Sequence, residues 1–406
     1  MTLGSSARTL TIYMEVLDRS FGRRYIERTM SEKIPLSEVI GLIKEELDVK
    51  ALEDGKKRQA AVWEGKEPDY LPLIFGAANP ERDQYPKYDM KEQFFDPEKM
   101  LYEQLWGPLS VLRARSDAVP SIRVNFGTGF LCSVFGLNQQ IFPDKMPWLQ
   151  EHLSKDAILK LKPGDLEPIA EKGLMPEFKR YITLYQEKLK GLPVHIYLPD
   201  TQGAFDVAHL IYRDDIFTDL YDDAPFISHL LSLTEYVYRN ASRLMKEWIG
   251  EPMDSGYHGG TLYMSGCGVR SCEDSTTLLS PGLVREQVMP YLRKSVAPFG
   301  GWVHFCGDGQ GLLEPLLSAP EVKGVNFGNP ERFDWPVTMA RIAAAGKVYF
   351  GGIPRGEKEQ LSDYFTRILA LLPKKGNLIM GAPLREGEDR ADAMTLWHRL
   401  QDKRFA

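Results

Sequence analysis

From Tyr70 onward, short runs rich in β-branched and aromatic residues alternate with longer amphipathic segments, a rhythm that restricts the chain to parallel βα units. The runs are Leu71–Phe75, Ser121–Phe126, Val194–Leu198, Leu262–Val269, Gly301–Phe305, Val322–Phe327, Lys347–Phe350 and Asn377–Met380. Helical patterns separate most of them, as in Ala224–Trp248, Pro281–Val296, Trp335–Ala344 and Lys358–Leu372. Parallel strands in this number, each followed by a helix, close into an α/β (β/α)8 TIM barrel. An open doubly wound sheet would carry a glycine-rich phosphate turn after its first strand. The turn here reads Gly76-Ala77-Ala78-Asn79, with neither GxGxxG nor GxxxxGK[ST]. The barrel is the expected fold.

Residues 1–66 are helix-forming and charged and read as an N-terminal helical extension packed on a barrel spanning 67–406. The connections Gly76–Pro120 and Gly127–Pro193, after the first two strands, are too long for minimal loops and predict insertions standing over the barrel mouth. The 406 residues are 43% hydrophobic and 26% charged with a net charge of −6, which excludes a disordered chain and lacks the basic footprint of a nucleic-acid binder. The first 30 residues hold no uninterrupted apolar region of a secretory signal, and no stretch reaches the roughly 18 apolar residues of a membrane span. With only four cysteines the expected location is the cytoplasm, where thiols serve as core residues, metal ligands or nucleophiles.

The strongest local signal is Gly301-Trp302-Val303-His304-Phe305-Cys306-Gly307-Asp308. A β run ends in His-x-Cys, and alternation with period two points His304 and Cys306 to one side. An imidazole and a thiolate on one face make half of a tetrahedral zinc site, and the C-terminal end of a barrel strand is where such chemistry is found. The bland counterpart is a buried thiol beside a hydrogen-bonded histidine. Asp308 is placed to orient His304 or to act as an acid or base. Around the fourth run, Cys267 and Cys272 offer further thiolates, and Glu273 and Asp274 offer carboxylates at the top of the strand. Candidate substrate-binding groups are Arg123 and Asn125 on the second strand, Asp200 and Gln202 after the third, Asn326 and Asn329 after the sixth, and Arg355 after the seventh. For each of these, turn chemistry or solvation is the simpler reading.

The run Leu279-Ser280-Pro281-Gly282-Leu283-Val284-Arg285 to Met289-Pro290-Tyr291, followed by Val303-His304-Phe305-Cys306-Gly307, resembles the uroporphyrinogen decarboxylase superfamily. So does Gln202-Gly203-Ala204-Phe205-Asp206-Val207-Ala208 with Asp219-Leu220-Tyr221-Asp222-Asp223 downstream. The likeness runs from about Tyr70 to Arg399 and implies a (β/α)8 barrel. True decarboxylases of the superfamily carry an arginine-rich segment before the first strand; Pro68-Asp69-Tyr70-Leu71-Pro72 keeps only the Tyr-Leu-Pro. The methyltransferase branch, which serves corrinoid proteins, carries HxC on the fifth strand, matched here by His304 and Cys306. That branch implies zinc holding a thiol as thiolate for methyl transfer, a corrinoid on a partner protein, and a homodimer. It also implies a further cysteine after the last strand, where this chain reads Leu378-Ile379-Met380-Gly381-Ala382-Pro383. Zinc is then completed by Cys267, Cys272, Glu331 or Glu386, or is absent.

The expectation is a methyltransferase of corrinoid or one-carbon metabolism acting on a small-molecule substrate. Its metal ligands are His304, Cys306 and Cys272, with Asp308, Glu273 and Asp274 as catalytic groups. The alternatives are a metal-free decarboxylase holding an acidic substrate through Arg123, Asp200 and Arg355, and a non-catalytic barrel that binds a corrinoid or tetrapyrrole.

Overall fold

A computed structural model describes residues 34–406. The first half of the expected N-terminal extension lies outside the described residues; the second half forms helices Leu36–Glu45 and Val49–Trp63. Leu36, Val39 and Ile43 recur at the spacing of one helix face and are buried. Gly41 sits within this first helix with nothing within 4 Å of a Cβ built on it. Gly41→Ala should therefore raise stability by about 0.5–1 kcal/mol through backbone entropy alone, read as a higher urea midpoint; a lower midpoint would show that the helix is held differently. The second helix begins at Asp48, whose side chain accepts from Ala51 N. Its fully buried Gln59 donates to Asp117 O (2.6 Å) and Thr261 O (3.1 Å) and accepts from Tyr263 N (2.7 Å).

The fold is mixed α/β and barrel-like. Among the described residues, its eight parallel strands are β1 (Leu73–Ile74), β2 (Ser121–Arg123), β3 (His195–Tyr197), β4 (Val269–Cys272), β5 (Gly301–Phe305), β6 (Val322–Phe327), β7 (Val348–Gly351) and β8 (Leu378–Gly381). Six of them form one sheet in the order β1-β8-β7-β6-β5-β4, and β2 pairs with β3 in a second. The strand ladders do not make an unbroken ring. Between β3 and β4 the described residues form a single bridge, Gln202 to Cys272, with Gly203 N donating to Cys272 O (2.8 Å) and Cys272 N to Thr201 O (3.3 Å). Between β1 and β2 the buried Asp117 takes the role of a strand residue: its N donates to Leu73 O (3.0 Å) and its carboxylate accepts from Leu73 N (2.9 Å). Arg58 holds that carboxylate at 2.7 Å.

The fourth expected strand is corrected. Leu262–Met264 pairs antiparallel with Gly256–His258 in a small hairpin, and the strand of the main sheet is Val269–Cys272. Ser265-Gly266-Cys267-Gly268 breaks the run: Gly266 has φ +66°, and a Cβ on Gly268 would lie 1.9 Å from Met253 O. Cys272 is thereby drawn into β4, level with His304.

The insertion after β1 carries helices Met90–Phe95 and Pro97–Ala114, and the one after β2 carries Lys155–Lys160 and Met175–Lys188. They meet through aromatic rings: Phe94 and Tyr181 each lie 5.0 Å from Phe126, and Phe130 lies 5.6 Å from Phe178. The same β2–β3 insertion contributes Trp148, Leu149 and His152 to the lining of a cavity of about 360 Å³, together with Gln202, Asp206, Asp274 and Ser275. Among the described residues, no helix is long and apolar enough to cross a membrane.

Candidate metal and thiol site

Strands β4 and β5 run in register, with Cys272 opposite His304. Alternation then sets Arg270 and Cys272 on one face of β4, with Asp274 just beyond, and Trp302 and His304 on one face of β5, with Cys306 just beyond. The outcome is a cluster in which one donor atom each from Cys272, Asp274 and His304 lies within 4.8 Å of the others. Sulfur, oxygen and nitrogen donors converging in this way suit zinc, which needs only a modest contraction to reach bonding distances. His304 is prepared for such a role. Its Nδ1 bonds Asn326 Oδ1, while Asn326 Nδ2 donates to Phe350 O. The amide oxygen can only accept, so the proton is on Nδ1 and the Nε2 lone pair is free. Nε2 faces Cys306 Sγ at 3.4 Å. Burial, reinforced by the Arg270 charge, lowers the His304 pKa and keeps the ring neutral.

Of the three expected ligands, Cys272 and His304 lie together with Asp274, and Cys306 stands beside His304 but outside the trio. Burial pushes the Cys272 thiol well above its ordinary pKa, partly offset by Arg270. The Cys306 thiol is pushed up to about 11, by burial and then by the Asp274 charge. Both are thiols until something displaces their protons. Cys306 N donates to Asp274 Oδ1 (2.6 Å), tying the carboxylate to the end of β5. A Cβ on Gly328 would meet Cys306 Sγ at 2.4 Å, so the turn after β6 is glycine to leave room for the sulfur.

Glu273 faces away from the trio. It is fully buried, accepts from Ser271 Oγ and Thr276 Oγ1 (both 2.9 Å), and lies near the buried Asp206. Asp206 accepts from Asp274 N (2.8 Å) and Ser275 N (2.9 Å). Burial first and Asp206 second push Glu273 up to about 8, while burial and Asp274 push Asp206 up to about 7. Both carboxyls ionise near pH 4 in an unfolded chain, so the folded metal-free protein retains protons that the unfolded chain has released. The stability contribution of the pair is complete below about pH 4 and declines as pH rises through about 8. Glu273→Gln should flatten that decline, measured as urea stability between pH 5 and pH 8. Parallel profiles for the two proteins would refute it.

The remaining expected residues divide. Asp200 pairs with Arg270 and, at 3.4 Å, with Arg123. Burial opposes its charge, but the two guanidiniums outweigh burial and hold its pKa down. Gln202 is buried, bridges to Cys272 and lines the cavity. Asn326 orients His304, and Asn329 Oδ1 accepts from Gly307 N (2.8 Å), fixing the turn after β5. Asn125 donates to Met146 Sδ at 3.8 Å. Arg355 is pinned by Glu388 (2.6 Å), and its side chain is 3% exposed. Asp308 is exposed and makes no hydrogen bond or ion pair among the described residues. Cys267 is buried ahead of β4, and Glu331 accepts from Asn329 Nδ2. Sequence reading assigned no role to Arg270, His209 or Ser275. The available signal was the placement of Asp206 and His209 three residues apart on helix Ala204–Tyr212, which gives them one face.

No protein-family model matches the chain, and no curated protein matches it in sequence. Among solved structures it is similar to a methyltransferase from Methanosarcina mazei, with a TM-score of 0.58 and 15% identity over 87% of this chain and 99% of that one. At that identity the likeness establishes a shared fold.

Proposed function

We propose that the chain is a methyltransferase that activates a thiol at a metal site formed by Cys272, Asp274 and His304, with a corrinoid on a partner protein as the methyl carrier. The observation that carries this reading is the convergence of those three donors at the C-terminal ends of β4 and β5, where Asp274 also lines a cavity. Zinc held there would lower the pKa of a thiol ligand and keep it as a thiolate at neutral pH. Asn326 fixes the His304 tautomer, Gly328 makes space for Cys306, and Cys306 stands ready as a fourth donor or as a contact to the incoming thiol. The fold shared with a methyltransferase agrees with the reading. The test is metal analysis of the purified chain followed by cobalt substitution. Stoichiometric metal and a cobalt spectrum that changes on adding 2-mercaptoethanol are expected; absence of metal uptake would overturn the reading.

A second reading is favoured by one observation. Arg123 and Arg270 share the single carboxylate of Asp200, which leaves a cationic surplus suited to an acidic substrate. A metal-free decarboxylase would use that pair and would show activity undiminished by chelators.

A further inference from the structure

Ser275, next to Asp274 on the cavity wall, places its Oγ 2.8 Å from His209 Nδ1, and His209 Nε2 lies 3.0 Å from Asp214 Oδ1. All three residues line the cavity, and the Asp214 side chain is 90% exposed. The direction of the chain follows from its inner and outer ends. A carboxylate only accepts, and the Asp214 pKa is held down by its bond to His209. His209 therefore carries its proton on Nε2, which leaves Nδ1 to accept from the Ser275 hydroxyl. Phe217 packs edge-on at 5.0 Å and fixes the plane of the ring. The other charged groups lining the cavity are Asp206, Asp274 and Arg213, whose backbone N donates to His209 O; His152 also lines it, its Nδ1 2.9 Å from Leu210 O.

We propose that Ser275, His209 and Asp214 form a proton-transfer chain that delivers the proton of a thiol entering the cavity to bulk water. This rests on the thiol-activating reading above. As the S–H bond breaks, the Ser275 oxygen takes that proton and passes its own to His209 Nδ1. The imidazolium is held by the Asp214 carboxylate, and its Nε2 proton leaves through Asp214 to water. Charge and protons balance: one thiolate forms and one proton reaches solvent. His209 acts through Ser275 and is a positioning residue that carries a proton, distinct from the metal-ligating cluster.

The experiment mixes zinc-loaded protein with 2-mercaptoethanol in weak buffer containing a pH indicator and follows proton release by stopped flow. His209→Gln should slow release about tenfold without changing its extent, and added imidazole should restore the rate. Asp214→Asn, at an exposed position that leaves the core intact, should slow release in the same sense and keeps the test decisive if His209→Gln fails to fold. An unchanged rate in either folded variant would overturn the proposal, as would a slow rate in His209→Gln that imidazole does not restore, since a residue that merely holds the turn gives that result. Failure of the wild-type protein to take zinc, or to release any proton on thiol addition, would instead bring down the thiol-activating reading and this proposal with it.

Discussion

His304→Ala is expected to abolish stoichiometric zinc binding while leaving the fold intact. The ring supplies the nitrogen donor of the trio, and no other histidine joins the cluster among the described residues. Its loss leaves Cys272 and Asp274, with Cys306 no longer held against an imidazole, too few arranged donors for the three or four that zinc needs. His304 is half-buried at the end of β5, so its removal leaves the strand ladder with β4 and β6 in place. Asn326→Ala should act more mildly, weakening zinc about tenfold to a hundredfold, because it releases the tautomer and orientation of the ring and leaves the donor itself. Zinc content after dialysis and competition with a colorimetric chelator give both values. A His304→Ala protein that retains full zinc would remove this cluster as the metal site.

Gly203→Ala should be among the most destabilising single substitutions in the chain, at about 3 kcal/mol. The backbone there has φ −67° and ψ 172°, which any residue can adopt, so the requirement is for space. A Cβ at this position would lie 1.8 Å from Glu273 Oε1 and 2.6 Å from Ser271 Oγ. Relief requires moving a fully buried carboxyl off its two hydroxyl donors or breaking the Gly203 N to Cys272 O bond that joins β3 to β4. Each response strikes an element the site depends on. Combining Gly203→Ala with Glu273→Ala should recover much of the loss, because the second change deletes the clashing atoms. Urea denaturation of the four proteins measures the coupling. Strictly additive losses would show that the contact is not the cause.

The fold was legible because each strand after β1 is flanked by the breakers and helical segments that parallel units require. The pair His304 and Cys306 was legible because alternation is a local rule. Asp274 as a donor was not. Its position depends on where β4 starts, and Gly266 and Gly268 shift that start by several residues from the apolar run. The buried pairing of Glu273 with Asp206 joins residues 67 positions apart, and His209 with Ser275 joins residues 66 apart. No local pattern reveals such distant contacts. Arg355 shows the converse. An arginine after a strand looked free to meet substrate, yet Glu388, 33 residues downstream, already occupies its fork.

The interrupted ladder gives the two sides of the mouth unequal backbone pairing. His304 belongs to the more fully paired side, where β5 is paired along its length with β6 and β4. Arg123 and Asp200 belong to the β2–β3 side, which meets β4 through one backbone bridge, the Thr201 hydroxyl and the Asp200–Arg270 ion pair, and meets β1 through Asp117 and Ser116. Adjustment to the bulk of an incoming molecule falls on the side with fewest backbone bonds to break. Arg123 stands on the less tightly paired side, whereas Arg270 shares β4 with Cys272, so the two arginines reach the Asp200 carboxylate from both sides of the gap.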